Sequence, residues 1–235
     1  MGLNATCRDC AVRSQAICAC LDDDTLDGFA VQGLQRRHAR GDVIFRAGDP
    51  VLACANIRSG SVKLTSPTAG GNEAIVAVMH RGEMIGQPTG TAHAQDVVAL
   101  NDVRICSFPR PAVARLLAEH PAAERALLVR TMAELDRSRR LLVRVGRASA
   151  LARVAGFIDE TGRAMGAIDD PAGFDLLLTR GEIADMLGLT IETVSRQMTR
   201  LKTAGIISLP REQGHSRRVV IHDPVALADT AEALD

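Results

Sequence analysis

The stretch Leu178-Thr-Arg-Gly-Glu-Ile-Ala-Asp-Met-Leu-Gly-Leu-Thr-Ile-Glu-Thr-Val-Ser-Arg196 contains two helix starts and one sharp turn. Thr179 and Glu182 have capping-box spacing, so each side chain can satisfy the other residue's free backbone amide. The helix that starts there runs through Ile183, Ala184 and Leu187 and stops at Gly188, which tolerates the left-handed conformation. A second helix restarts with Thr190 as its N-cap. Two helices joined by a short glycine-cornered turn make a helix-turn-helix. On the second helix, Ile191, Val194, Met198 and Leu201 follow a 3-4-3 spacing and are expected to be buried. That leaves Glu192, Ser195, Arg196, Thr199 and Arg200 to solvent. Glu192, Ser195 and Arg196 have the chemistry of major-groove readers: a carboxylate for cytosine N4, a hydroxyl for either sense, and a guanidinium for guanine O6 and N7.

Downstream, Ile206-Ile207-Ser208 and Arg218-Val219-Val220-Ile221 bracket a loop from Pro210 to Ser216 and read as a β-hairpin wing. Between Arg180 and Arg218, basic residues outnumber acidic ones by three, with Arg180 among them, so phosphate contacts are expected. The chain as a whole has 28 Lys+Arg against 28 Asp+Glu, so attraction for an anionic partner must come from such local patches. Aromatics make up 2% of the residues and Trp and Tyr are absent, which argues against modules that bind single strands by base stacking.

Upstream, Leu128, Met132, Leu135, Leu142 and Val145 recur at helical spacing, with no proline or glycine between Pro121 and Gly146. A helix of about 25 residues is predicted. Its stripe resembles a coiled-coil seam interrupted at Ser138 and Arg139, which favours pairing with a second copy over packing on its own sensor domain. The neighbouring basic run Arg137, Arg139, Arg140, Arg144 and Arg147 reads as a solvated face. A further amphipathic helix is expected from Ala148 through Ile158. From about Leu21 to Pro109, short apolar stretches alternate with glycines and predict a compact β-roll. Within it, Val62 and Leu64 should point inward and Lys63 and Thr65 outward.

Four of the six cysteines, Cys7, Cys10, Cys18 and Cys20, fall within fourteen residues; Cys54 and Cys106 stand alone. Clustered thiols suggest a metal or redox site, and Cys54 reads as a small buried hydrophobe. Gly2 and Thr6 also fit a short myristoylation pattern with many chance matches. No run of 18 apolar residues and no hydrophobic signal core occurs, so neither a membrane span nor Sec export is expected and the cytoplasm is the expected location.

A β-roll, a long helix and a winged helix-turn-helix, in this order, resemble the CRP/FNR superfamily of bacterial transcription regulators over nearly the whole chain. The match is closest at Leu178 to Leu201, where the E-x-x-S-R reading set of the FNR branch falls on Glu192, Ser195 and Arg196. The resemblance implies an α+β fold. Residues 1–20 would form a cysteine-rich arm, 21–120 a β-roll sensor domain like those that bind cyclic nucleotides, 121–146 a dimerisation helix and 147–235 a winged helix-turn-helix. It also implies a homodimer on double-stranded DNA with TTGAT-type half-sites, and RNA polymerase as a partner. Ile191 replaces the arginine of the cAMP-receptor branch. Gly82-Glu83-Met84-Ile85-Gly86 is followed by Gln87, and His93-Ala94 stands where cAMP-binding members have an arginine for the cyclic phosphate. A buried phosphate would lack its counter-charge, so cAMP is not expected.

FNR-like oxygen sensors hold a [4Fe-4S] cluster with three N-terminal cysteines and one from the β-roll. By that resemblance the ligands are Cys7, Cys10, Cys18 and Cys106, with Cys20 a possible substitute for Cys18. The seven residues between Cys10 and Cys18 resemble alphaproteobacterial FNR-like proteins. Four thiolates would also suit structural zinc or a disulfide switch, and a regulator that responds to a small ligand is a further alternative. Haem would need one of His38, His80, His93 or His120, none in a distinguishing context. A thiol oxidoreductase using Cys7 and Cys10 is disfavoured, because no βαβ context follows and no nucleophile-base-orienter set is readable.

Overall fold

The computed structural model describes residue 7 and residues 9–67, 73–210 and 217–233. The chain forms two compact units, Met1–Leu135 and Asp136–Asp235. The Gly2 and Thr6 pattern and the tip of the wing loop lie outside the described residues.

The first unit opens with two 3-10 turns, Arg13–Gln15 and Ile17–Cys20, then helix α1 (Asp23–Ala30). α1 departs from the expected run of strands. The Asp22 carboxylate caps it by accepting from the Thr25 amide at 2.8 Å, and Leu26, Phe29 and Ala30 bury its inner face. Eight antiparallel strands follow: β1 (Leu34–His38), β2 (Val43–Phe45), β3 (Ala53–Ser59), β4 (Val62–Pro67), β5 (Glu73–Met79), β6 (Met84–Ile85), β7 (Asp96–Ala99) and β8 (Val103–Pro109). They form two four-stranded sheets, β1-β8-β3-β6 and β2-β7-β4-β5. Ile57, Val62, Val97, Val103 and Ile105 fill one core cluster, each removing about 1.5–3 kcal/mol worth of apolar surface from water.

β4 corrects the expected alternation. Leu64 pairs with Ala77 but Thr65 pairs with Ile75, so a bulge on β5 shifts the register and Thr65 turns inward to full burial. Its hydroxyl has no hydrogen-bond partner among the described residues.

Helix α2 (Arg110–Glu119) leads into helix α3 (Pro121–Arg147), inside which the division between the two units falls. α3 runs one residue past Gly146. Its first turns belong to the sensor unit, where Ala123 is wholly buried and Leu127 half-buried in a second core cluster. That cluster also contains Cys54, Cys106 and the stacked rings of Phe29 and Phe108, 4.0 Å apart.

The second unit contains helix α4 (Ala150–Met165), β9 (Phe174–Asp175), α5 (Arg180–Leu187), α6 (Ile191–Thr203), the short strands β10 (Ile207–Ser208) and β11 (Arg218–Ile221), and helix α7 (Pro224–Glu232). The three strands form one antiparallel sheet, β10-β11-β9. Arg144, at the end of α3, makes a two-pronged ion pair with Glu160 at 2.7 and 2.9 Å, tying that end to α4. Among the described residues no helix is long and apolar enough to cross a membrane.

Candidate nucleic-acid interface and candidate metal centre

α5 starts at the capping box: Glu182 N donates to Thr179 Oγ1 at 3.2 Å and Thr179 N to Glu182 Oε2 at 2.8 Å. It ends at Gly188 with φ +62°, where any other residue would be strained. α6 starts at Thr190, whose hydroxyl accepts from the Thr193 amide at 3.2 Å. Val194, Met198 and Leu201 are buried as the spacing predicts.

Ile191 is a correction, because it is half exposed at the first position of α6 while Gln197 is buried in its stead. Gln197 Oε1 accepts from Arg200 at 3.2 Å and so steadies that guanidinium.

Glu192, Ser195, Arg196, Thr199 and Arg200 are all exposed on one side of α6. Arg196 Nη2 donates to Thr193 Oγ1 at 3.3 Å, and Thr193 is in turn bonded to Thr190, so the N-cap and the arginine belong to one polar ladder. The Glu192 carboxyl is held below the usual carboxylate range by its own amide and the Thr190 hydroxyl, which favours the carboxylate form. Arg196, Thr199, Arg200, Thr203 and Ala204 line a broad open depression. Arg180, grouped with these from sequence, is half-buried instead. Its Nη1 is sealed from water without a partner among the described residues, and that burial lowers its proton affinity.

Along α3, Leu128, Met132, Leu135 and Leu142 are exposed, as are Ser138 and Arg139 between them. Arg139 lies 3.5 Å from Asp136 one turn back. Val129 and Val143, which the spacing did not single out, widen the apolar row. Val145 turns away from it: half-buried, it lies 3.5 Å from where a Cβ on Gly188 would stand. Such exposed apolar side chains leave much of this helix without a covering neighbour among the described residues.

In the sensor unit, Cys7, Cys10, Cys18 and Cys106 line one cavity of about 20 Å³, together with Arg13, Asn56, Arg58 and Phe108. The first three come from the N-terminal turns and Cys106 from β8. Cys20 is not part of the lining. Its Sγ donates to the Ile17 carbonyl at 2.9 Å within its own turn.

All six cysteines are free thiols. Burial and then Cys7, Cys106 and Cys10 push the Cys18 thiol up to about 12. Burial pushes Cys106 up to about 11, with Arg58 pulling it back and Cys7 and Cys10 adding to the rise. Cys7 is raised by burial and by Cys10. Thiolates that raise one another's proton affinity can ionise together only beside a cation, which is the electrostatic condition of a metal site. Ligand number and softness suit iron–sulfur or zinc. The spacing is wider than a metal centre requires: among the described residues, no three His, Cys, Asp or Glu side chains are close enough to hold an ion. Cys18 lies in the second 3-10 turn, which has no side-chain cap among the described residues, and Cys10 lies just before the first, so metal binding would have to draw the sulfurs inward.

Elsewhere in the sensor unit, His93 is buried and stacked on Phe45 with ring centroids 4.4 Å apart. Glu83 Oε2 accepts from the His80 amide at 2.7 Å and His80 Nδ1 faces the Ser61 hydroxyl at 2.9 Å. His38 and His120 are half-buried and lie elsewhere.

A β-roll, a long helix with an exposed apolar row and a winged helix-turn-helix define a class: regulators that couple a sensed signal to duplex DNA. A Crp-like helix-turn-helix domain matches residues 152–230 and a cyclic nucleotide-binding domain residues 35–120. The chain is 32% identical over 230 residues to the transcriptional activator protein FnrL of Cereibacter sphaeroides, covering 96% of this chain and 91% of that one. It is 31% identical over 228 residues to the nitrogen fixation regulation protein FixK of Bradyrhizobium diazoefficiens, with the same coverage. The solved structure of FixK2 from Bradyrhizobium japonicum superposes with a TM-score of 0.75 at 24% identity, over 86% of this chain and 98% of that one. The chain therefore belongs to the CRP/FNR superfamily, among its FNR-like members, a family of transcription regulators and not of enzymes.

Proposed function

We propose that this protein is a homodimeric DNA-binding regulator of the cellular response to oxygen, with a [4Fe-4S] cluster held by Cys7, Cys10, Cys18 and Cys106. The observation that carries this reading is the convergence of those four thiols, and not Cys20, on one cavity. The relatives named for FnrL and FixK support the regulatory part. When bound, such a cluster supplies an oxygen-labile centre that ties four sulfurs to one point.

The rest is the work of this chain's own residues. Cys7, Cys18 and Cys106 share an apolar cluster with Ala123 and Leu127 of α3, so the seating of the arm bears on the root of that helix. The turn at Gly82 makes a second link. Its carbonyl accepts from Arg130 of α3 at 3.0 Å, and with φ +87° it leaves no room for a Cβ, which would come within 2.7 Å of Gln15 in the arm. A seated arm braces α3; a released arm frees it. The exposed row Leu128, Met132, Leu135 and Leu142 then pairs across a two-fold axis, with Ser138 and Arg139 keeping the pairing weak enough to be switched. Pairing spaces two α6 helices for half-sites of the TTGAT type, with Arg196 on guanine, Glu192 and Ser195 on neighbouring bases, and Thr199 and Arg200 toward phosphate. Such a regulator works in the cytoplasm with RNA polymerase.

The test is a visible spectrum of protein purified without oxygen, taken before and after air is admitted, with iron and acid-labile sulfide assayed. An oxygen-bleached brown chromophore with about four irons per chain, absent in Cys106→Ser and present in Cys20→Ser, is expected. A colourless protein after anaerobic reconstitution would assign the thiols to zinc or disulfide chemistry and leave only the DNA-binding part.

A further inference from the structure

β3 carries two polar side chains to the wall of the cysteine cavity, Asn56 and Arg58. Residues two apart on a strand share a face, and the register sets Asn56 opposite Cys106 on β8. Asn56 is 4% exposed. Its Nδ2 points to Cys18 Sγ at 3.9 Å, a long contact, while its Oδ1 is sealed from water with no partner among the described residues. A buried amide left half satisfied is costly, and the contact that its donor end does make is with a cysteine sulfur.

Of the two cations on the wall, Arg13 is committed elsewhere, donating to Asp23 Oδ1 at 2.8 Å and to the Leu21 carbonyl at 3.3 Å. Arg58 makes no ion pair with a carboxylate among the described residues and lines the same cavity as Cys7 and Cys106.

We propose that Asn56 and Arg58 are a donor pair for sulfur-borne negative charge at the four-cysteine site: Asn56 hydrogen-bonds a ligating sulfur, and Arg58 offsets the net charge of the thiolate set. The inference rests on the cluster reading above. It assigns the pair the property that hydrogen bonds and nearby charge control in iron–sulfur proteins, the reduction potential. Both act as positioning residues, through the sulfurs and not as ligands.

The experiment uses the full chain, reconstituted without oxygen, in a dithionite titration followed by visible absorbance. Removing the charge in Arg58→Gln is expected to make one-electron reduction about tenfold less favourable, a downward shift of 59 mV. Arg58→Lys should recover most of that shift, because it restores the charge. Asn56→Ala should move the potential the same way by less. Should Asn56→Ala fail to fold, the half-exposed Arg58 variants still decide the question. A loaded wild type whose Arg58→Gln variant has the same potential overturns the pair alone. A wild type that holds no iron overturns the cluster reading and the pair with it, and iron analysis tells this result from the other.

Discussion

The hydrogen bonds that shape the reading helix join residues three or four positions apart: Thr190 to Thr193, Thr193 to Arg196, Gln197 to Arg200. The thiol cavity is assembled from the N-terminal turns, the middle of β3 and the far strand β8, brought together only by sheet register and an apolar cluster. A site made of local bonds holds its shape as long as the helix does. A site made of distant parts can be taken apart without unfolding the rest. The two units should therefore fail independently.

The largest effect is expected from emptying the core beneath α6. Met198 is wholly buried, and Met198→Ala should cost about 2–5 kcal/mol of stability in the DNA-binding unit. Calorimetry of the full chain should show the second unit melting earlier with the sensor transition unmoved. A single transition that shifts as a whole would show that the units unfold as one.

Arg196→Ala comes next and separates reading from folding. The side chain is exposed, so stability should hold, while affinity for a TTGAT-type duplex should fall by about 1–3 kcal/mol, or roughly 5- to 150-fold. Fluorescence anisotropy against a duplex altered at the guanine decides it. An Arg196→Ala protein that still prefers the guanine would move base reading to another side chain.

How much could be read in advance follows the same division. The capping box, Gly188 and the stripe Val194, Met198 and Leu201 are short-range features, and the structure places them where spacing predicts. Ile191 was misplaced because a regular period says nothing about the first residue of a helix, where the chain is still leaving the turn. In the sensor unit the four cysteines that line the cavity were singled out through the family resemblance, since residue type alone offers six. The exclusion of Cys20 was not legible, because it depends on which way one 3-10 turn faces. Asn56 and Arg58 escaped notice since only the pairing of β3 with β8 brings them to Cys106. α1 was hidden by its brevity and by Asp23, Asp24, Asp27 and Gly28, which leave three apolar residues to carry its period.

A smaller effect distinguishes the units by pH. Burial holds the His93 imidazole below its ordinary value, with Asp49 opposing weakly, so the folded sensor favours the neutral ring. The unfolded chain binds the proton as pH falls through 6.5, so the contribution present above that pH is lost progressively below it. Urea midpoints of the sensor transition should drop between pH 7.5 and 5.5. In His93→Phe, which keeps the stack on Phe45, the drop should shrink. An unchanged drop would assign the acid sensitivity to other groups.

The mildest test sets one buried threonine against another. Thr65 is sealed in the roll by the β5 bulge with its hydroxyl unpartnered among the described residues, whereas Thr161 of α4 is buried but donates to the Phe157 carbonyl at 2.7 Å. Replacing a hydroxyl by a methyl removes the desolvation penalty in the first case and a hydrogen bond in the second. Thr65→Val should therefore stabilise the sensor unit by about 1 kcal/mol, and Thr161→Val should destabilise the DNA-binding unit by about the same. About 1 kcal/mol corresponds to some 4–8 °C in the melting of the smaller DNA-binding unit and to a few degrees less in the larger sensor unit. If Thr65→Val instead lowers the sensor's melting temperature, the hydroxyl is satisfied in solution, and the bulge that turns Thr65 inward serves a polar contact within the roll.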